Sequence, residues 1–277
     1  MNLEIRPLAF AEVATLVDWA ADEGWNPGLH DPRSFFAADP QGFLGGFLDG
    51  ELVTGISGVR YGTDYGFVGL FITRPDLRYQ GHGRTIWSAA MDRLQGRTIG
   101  LDGVPEQQKN YQSKGYAFSY GTTRYSGVLQ EDYAPRTNIQ PITPDMHSQL
   151  HLFDRLYFPS TREDFLTQWI EAAHCRYAYV DDGEIYGFGL ARECRQGYKI
   201  GPLFARDLKV ATSLVIAVGA SCDGEIHIDV PDYQHQFSSH LIACGFTPGF
   251  STARMYKGPF PAFAEEGVYA VTSLELG

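Results

Sequence analysis

The chain has 277 residues, of which 44% are hydrophobic and 20% are charged, and its net charge is −11. This length suits one large domain or two ordinary ones, and the composition is that of a soluble globular protein. The negative charge argues against a nucleic-acid partner, and it is compatible both with a cationic substrate and with solubility alone.

The sequence indicates neither membrane insertion nor metal binding. No apolar run approaches the length of a membrane span, and the first ten residues lack the layout of a signal peptide, so we expect a cytoplasmic protein without a membrane partner. The four cysteines form no Cys-x-x-Cys pair, which favours free thiols over a zinc site. We therefore predict no metal.

In the first half of the chain, hydrophobic periodicity predicts an alternation of strands and helices. The predicted strands span residues 3–6, 42–48, 51–61, 65–73, 97–104 and 122–129, and the predicted helices span residues 9–21, 86–94 and 106–114. Residues 24–40 read GWNPGLHDPRSFFAADP. They are so rich in glycine and proline that we predict an irregular loop there.

The fourth predicted strand leads into a glycine loop and a helix. Gly81 and Gly83 stand directly before the amphipathic helix, with Arg78 and Arg84 beside them. The first N–H groups of a helix lack partners and favour anions, glycine lets a phosphate approach closely, and arginine adds charge-assisted hydrogen bonds. The pattern is typical of an anion site, although it lacks the Gly-Lys-Ser/Thr of a P-loop and the third glycine of a Rossmann loop.

The motif Arg78-x-x-Gly81-x-Gly83 resembles the Arg/Gln-x-x-Gly-x-Gly/Ala signature of the GNAT acyltransferases. The resemblance implies an α+β fold with three layers, in which helices flank a mixed, mostly antiparallel sheet, and it implies acetyl-coenzyme A as the co-substrate. Two positions depart from the family pattern, since Tyr79 replaces a frequent glycine and Val104 replaces an asparagine that touches the cofactor in many relatives. The cofactor contacts that the resemblance implies are Phe71, Ile72, Thr73, Arg78, Tyr79, Gln80, Gly81, His82, Gly83, Arg84 and Asn110.

The second half repeats this order after a proline-rich linker that begins near residue 131. Its predicted strands span residues 138–142, 177–180, 185–193, 198–205, 226–230 and 252–256, and its predicted helices span residues 144–157, 162–173, 210–220 and 236–244. Short similarities accompany the repeat. Lys114-Gly115-Tyr116 matches Cys244-Gly245-Phe246, and the Asp-containing strand ends around Asp102 and Asp229 also match.

We therefore expect two tandem GNAT domains, with one irregular α+β domain as the alternative. Residues 1–134 would form the catalytic domain, which binds acetyl-coenzyme A. Residues 135–277 would form a degenerate domain with a structural or substrate-lining role. The second copy has no glycine at the position of the loop, and Asp207 would repel a phosphate there.

The resemblance also suggests catalytic residues. Tyr111, four residues before Gly115, matches the tyrosine whose hydroxyl lies beside the thioester sulfur in many relatives, so it is the predicted acid. Phe67 stands where histone-type relatives carry a glutamate base. The base therefore stays open among several residues that act alone or through water, with Glu23 and Asp102 as the catalytic candidates. The other residues considered are His30, Asp31 and Asp64.

An aromatic wall with carboxylates suits an amine on an apolar body, and the predicted acceptor residues are Trp25, His30, Asp31 and Phe35. The predicted function is acetyl transfer from acetyl-coenzyme A to a primary amine of a small molecule or an aminoacyl group. The alternative is a non-catalytic coenzyme A sensor or interaction module. We expect a monomer or homodimer, and the sequence assigns no role to residues 272–277.

Overall fold

The computed structural model describes residues 3–129 and 138–277. The predicted linker begins in the gap between these ranges, and the predicted domain boundary after residue 134 lies outside the described residues. Within the two described ranges, no helix combines the length and the apolar character that crossing a membrane requires.

The described residues form strands and helices in the predicted order. The strands are β1 (Glu4–Pro7), β2 (Phe43–Leu48), β3 (Glu51–Tyr61), β4 (Tyr65–Thr73), β5 (Thr98–Gly103), β6 (Ala117–Gly127), β7 (Ile139–Pro141), β8 (Cys175–Asp181), β9 (Glu184–Glu193), β10 (Tyr198–Ala205), β11 (Ile226–Pro231), β12 (Thr247–Lys257) and β13 (Val268–Ala270). The α-helices are α1 (Phe10–Asp22), α2 (Asp31–Ala38), α3 (His82–Arg93), α4 (Gln108–Ser113), α5 (His147–Tyr157), α6 (Glu163–Ala172), α7 (Leu208–Gly219) and α8 (His235–Ala243).

Two elements, α2 and β13, were not predicted. The segment predicted to be an irregular loop contains α2, in which Pro32 occupies the first turn. Proline is tolerated there because the first N–H groups of a helix have no partner inside the helix. Phe35 on the inner face of α2 stacks on Trp169 of α6, with ring centroids 5.9 Å apart. Packing against the second half therefore stabilises a helix that the local sequence does not predict.

The two halves share one continuous sheet. Its strand order is β1-β2-β3-β4-β5-β12-β6-β11-β10-β9-β8-β7, and β13 pairs with β10. The pairs β4–β5 and β10–β11 are parallel, and the other neighbours are antiparallel. The architecture is the mixed, mostly antiparallel sheet that the resemblance implies. Each half contributes one copy of it to the continuous sheet.

The halves exchange their last long strands. β12 from the second half pairs with β5 of the first half, whereas β6 from the first half pairs with β11 of the second. β6 and β12 also pair with each other, so they form the centre of the sheet. Each half therefore completes its sheet with a strand from the other.

Two buried ion pairs fix the register of the exchanged strands. Arg254 on β12 donates hydrogen bonds to both carboxylate oxygens of Asp102 on β5, at 2.9 and 2.7 Å. Arg124 on β6 donates in the same way to Asp229 on β11, at 2.7 and 2.9 Å. A one-residue slip would separate these charges in the interior, where an unpaired charge is strongly destabilising.

Cleavage between the halves is expected to leave them associated. A protease site introduced at residue 134 and cut in the purified protein would leave β6 and β12 in place, because each is held by ladder hydrogen bonds and a buried ion pair. The two fragments should elute together in size-exclusion chromatography, with the circular dichroism spectrum of the intact protein.

The matched control is residues 1–134 expressed alone. This fragment lacks β12, so β5 has an unpaired edge, and we expect it to aggregate. Separate elution of the cleaved fragments, or a folded monomer of residues 1–134, would contradict the strand exchange.

Candidate active site

A gap opens between β4 and β5. The parallel ladder between these strands runs from the pair Tyr65 and Thr98 to the pair Val68 and Leu101. Leu70, two residues further along β4, has a φ of 46°, and the register between β3 and β4 shifts at the same place. A bulge of this kind bends a strand away from its neighbour. The rest of β4 therefore borders a cavity.

The cavity has a volume of about 700 Å³ and is lined by both halves of the chain. β4 and the glycine loop form one wall, and α4 with the end of β5 forms another. The second half adds residues of β12 and of the segment 272–277. The second-half lining residues are Phe250, Thr252, Leu274 and Glu275.

The glycine loop lies at the N-terminus of α3. Gly81 is the N-cap residue, with a φ of 94°, and Tyr79 also has a positive φ, of 64°. Residue 79 thus has a left-handed conformation, which glycine adopts more readily than tyrosine. Arg78 donates from Nε to the carbonyl oxygen of Thr73 at 3.0 Å and forms an ion pair with Glu23. The loop is thus fixed to the end of β4.

Tyr111 is held inside the cavity by aromatic packing. Its ring stacks on Trp87 of α3 with centroids 5.7 Å apart. A side chain on Gly103 would come within 2.9 Å of this ring, so glycine there makes room for it. Burial raises the pKa of Tyr111 to about 12. The phenol is therefore protonated at neutral pH and can donate a hydrogen bond.

Most of the predicted cofactor residues line this cavity. The exceptions are Gln80, whose side chain donates to the carbonyl oxygen of Asp76 at 3.3 Å, and His82, whose buried Nε2 has no hydrogen-bond partner among the described residues. The predicted cofactor residues that line the cavity are Phe71, Ile72, Thr73, Arg78, Tyr79, Gly81, Gly83, Arg84 and Asn110.

The predicted acceptor wall needs correction. Trp25 lines the cavity, but Phe35 is fully buried in the core. Asp31 is buried in an ion pair with Arg192, and His30 borders a separate small cavity beside it. Packing of α2 on the second half directs these three side chains away from the main cavity.

The two candidate bases are both engaged in ion pairs. Glu23 lines the cavity, where it pairs with Arg78 of the loop. Asp102 also lines it, but its side chain is fully buried and both its oxygens accept from Arg254. Burial raises the pKa of Asp102, and Arg254 opposes that rise. We therefore assign Asp102 a structural role and withdraw it as a base candidate.

The sequence predicted a structural or substrate-lining role for the second half, but it did not identify which of its residues line the cavity. Phe250 and Thr252 reach the cavity because β12 crosses into the first sheet, and nothing local in the sequence indicates that exchange. Leu274 and Glu275 belong to the segment 272–277, which has no regular pattern. The repeated Asp and Arg residues were the available signal, since they pair across the exchanged strands.

Comparison with known proteins identifies both halves. A model of the acetyltransferase (GNAT) family matches residues 10–117, and a model of an acetyltransferase (GNAT) domain matches residues 150–270. A holothin acyltransferase from Pseudoalteromonas sp. (strain SANK 73390) is 32% identical over 276 residues, which cover 98% of this chain and 94% of that protein.

Two solved structures have the same fold. A crystal structure from Pyrococcus horikoshii, assigned as an acetyltransferase, has a TM-score of 0.84 at 19% identity and covers 100% of this chain and 96% of that one. A tandem GNAT protein from the clavulanic acid biosynthesis pathway has a TM-score of 0.64 at 15% identity and covers 94% of this chain and 100% of that one. The chain belongs to the GNAT family and is an acyltransferase with two tandem GNAT domains.

The structural role of Asp102 can be tested by Asp102→Asn. This change leaves the Arg254 cation buried without its counter-charge and should lower the free energy of unfolding by about 3–5 kcal/mol. Urea unfolding followed by tryptophan fluorescence measures the loss. Asp76→Asn is the matched control, because Asp76 pairs with Arg74 at the surface, and it should leave the midpoint nearly unchanged. Equal midpoints for Asp102→Asn and the unaltered protein would contradict the assignment.

Proposed function

We propose that this acyltransferase uses acetyl-coenzyme A and transfers the acetyl group to a primary amine of a small molecule or an aminoacyl group. The observation that carries the proposal is the continuity of the site. The gap beside β4, the glycine loop at α3 and the Tyr111 phenol border one cavity. The relative at 32% identity is named as a holothin acyltransferase, which supports acyl transfer as the reaction.

The residues around the gap fit a pantetheine arm and a pyrophosphate. The backbone of Phe71, Ile72 and Thr73 borders the open side of β4, where an extended arm could take the place of a neighbouring strand. The amides of the loop and the N-terminus of α3 would hold the pyrophosphate, helped by the exposed cation of Arg84. When bound, acetyl-coenzyme A supplies an activated acyl group as a thioester.

Residues 138–277 offer no matching site. There the place beside β10 is occupied by the chain itself, because β13 pairs with β10 and the amide of Val271 donates to the carbonyl oxygen of Asp229 at 3.0 Å. The N-terminus of α7 is also capped internally, since the Asp207 carboxylate accepts from the amide of Val210 at 2.9 Å. A carboxylate at that position repels a phosphate. We therefore propose one cofactor site per chain, in the first half.

The residues of the chain can assist transfer in two ways. Tyr111 can donate a hydrogen bond or a proton to the thiolate that leaves, which is the role of a general acid. Trp25 and Phe250 supply aromatic surface from opposite halves, which suits an amine carried on an apolar body. Exclusion of water from the buried part of the cavity strengthens these interactions.

Coenzyme A binding tests the cofactor site directly. Isothermal titration calorimetry should give one site per chain, and Gly83→Asp should abolish binding because its carboxylate would face the pyrophosphate. Gly83→Ala is the matched control. Its methyl group would lie 3.2 Å from the tip of the Phe71 ring, which can move slightly, so binding should weaken far less. Two equivalent sites, or normal binding by Gly83→Asp, would overturn the proposal.

The role of Tyr111 is tested by Tyr111→Phe, which keeps the ring on Trp87 and removes only the hydroxyl. We expect kcat to fall by about 10²-fold, the lower end of the range for general-acid assistance, with little change in coenzyme A affinity. Thiol release from acetyl-coenzyme A across a panel of amines measures the rate.

Tyr116→Phe is the control for this experiment. The Tyr116 hydroxyl is directed at the sulfur of Met91 at 3.5 Å, and its ring also packs on Trp87. A loss of the same size in both variants, or a loss of affinity in place of rate for Tyr111→Phe, would make Tyr111 a packing residue.

A further inference from the structure

We propose that Glu275 binds the acceptor's ammonium group and removes its proton before acyl transfer. This assignment deepens the proposed function and rests on it. It also supplies the general base that the sequence left open.

A comparison of the cavity's carboxylates selects this residue. Among the described residues that line the cavity, three carry carboxylate side chains, namely Glu23, Asp102 and Glu275. Glu23 pairs with Arg78, and Asp102 pairs with Arg254. Within residues 3–129 and 138–277, the Glu275 carboxylate accepts no hydrogen bond and forms no ion pair, although the residue is only 4% exposed. A buried carboxylate in this condition has its oxygens free for a ligand.

The backbone of Glu275 is fixed where the gap begins. A side chain on Gly69 would come within 2.8 Å of the Glu275 carbonyl carbon and 3.1 Å of its Cα. Gly69 therefore lets residue 275 pack directly on β4, one residue before the bulge at Leu70. In this position Glu275 stands directly before the part of β4, from Phe71 to Thr73, that we assign to the pantetheine arm.

The rest of the segment 272–277 is anchored on both sides of Glu275. The Tyr61 hydroxyl donates to the carbonyl oxygen of Leu276 at 3.1 Å. Arg162 donates to the Thr272 hydroxyl at 2.8 Å and to Gly277 O at 3.3 Å. These contacts hold the main chain of the segment at a fixed place, so little ordering is needed when a ligand binds.

Cations compensate for the charge of Glu275 without bonding to it. Three cations are close enough to interact with its charge, namely Arg124 on β6, Arg192 on β9 and Lys199 on β10. The thiol of Cys194 is also within this range. All three cations already have other partners. Arg124 is bound to Asp229, Arg192 to Asp31, and Lys199 donates to the carbonyl oxygen of Trp25 at 3.2 Å.

The remaining walls indicate the class of acceptor. Trp25 and Phe250 present aromatic surface, and the buried Thr252 hydroxyl has no hydrogen-bond partner among the described residues. A primary ammonium on an apolar or aromatic body would satisfy Glu275 and Thr252 and cover the two rings. We therefore assign the acceptor class as primary alkyl amines with an apolar body.

The proton balance assigns a separate task to each group. An ammonium loses two protons when it becomes an amide. Glu275 accepts the first and later releases it to water, and the nitrogen lone pair then forms the C–N bond as the C–S bond breaks. Tyr111 gives its proton to the leaving thiolate. The second proton lost from nitrogen returns the phenol to its protonated state through solvent.

The test uses two coenzyme A thioethers of nearly equal size. S-(2-aminoethyl)-coenzyme A carries an ammonium two carbons from sulfur, and S-propyl-coenzyme A carries a methyl group in its place. Calorimetry should show that the unaltered protein prefers the ammonium probe by roughly ten- to a hundredfold, the range for a hydrogen bond to a charged group. Glu275→Gln, which keeps the shape of the side chain, should erase that preference.

Binding of unmodified coenzyme A distinguishes a failure of the Glu275 assignment from a failure of the proposed cofactor site. Coenzyme A should bind equally to the unaltered protein, to Glu275→Gln and to the control Glu265→Gln, in which an exposed glutamate outside the cavity is changed. If coenzyme A binds but the ammonium preference is absent or survives Glu275→Gln, the assignment of Glu275 is overturned and the cofactor site stands. If coenzyme A binds to none of the three proteins, the proposed function fails and the assignment fails with it.

Discussion

The exchange of β6 and β12, held by the buried pairs Asp102–Arg254 and Asp229–Arg124, is the constraint on which the rest of the structure depends. Each pair joins an arginine on an exchanged strand to an aspartate on the fifth strand of the other half. Burial of four charges is tolerated only because each arginine satisfies both oxygens of its carboxylate. This exchange brings Phe250 and Thr252 into the first half's cavity, so the site cannot be complete in either half alone.

The two copies differ in what lies beside β4 and β10 after each of these strands parts from its parallel neighbour. In both, the parallel pair at the centre of a half runs for only a few residues before the strands part. In the second copy β13 pairs beside β10, and Asp207 caps the helix that follows. In the first copy the place beside β4 is left open and the helix N-terminus carries a glycine loop. One fold thus gives a half whose gap is filled by its own chain and a half whose gap borders a cavity, and the filled half contributes the segment that carries Glu275.

The sequence predicted the parts that depend on local chemistry. Strand positions follow from hydrophobic periodicity, and the loop from Arg78 to Gly83 follows from glycines that stand directly before an amphipathic helix. The degenerate second loop was predicted from Asp207, and the repeat from residues that include Asp102 and Asp229. Other features depend on contacts between distant parts of the chain. Helix α2 is stabilised by Trp169, β12 leaves its own half, and Glu275 acquires its surroundings from β4, β6, β9 and β10. No local pattern in the sequence carries that information.

The most direct test of the account is a crystal structure of the complex with acetyl-coenzyme A. If the proposed site is correct, the complex will contain one molecule per chain, with the pantetheine arm in the gap between β4 and β5, the pyrophosphate on the loop before α3, and the thioester between Tyr111 and Glu275. A cofactor bound beside β10, or a thioester that lies away from both Tyr111 and Glu275, would contradict it.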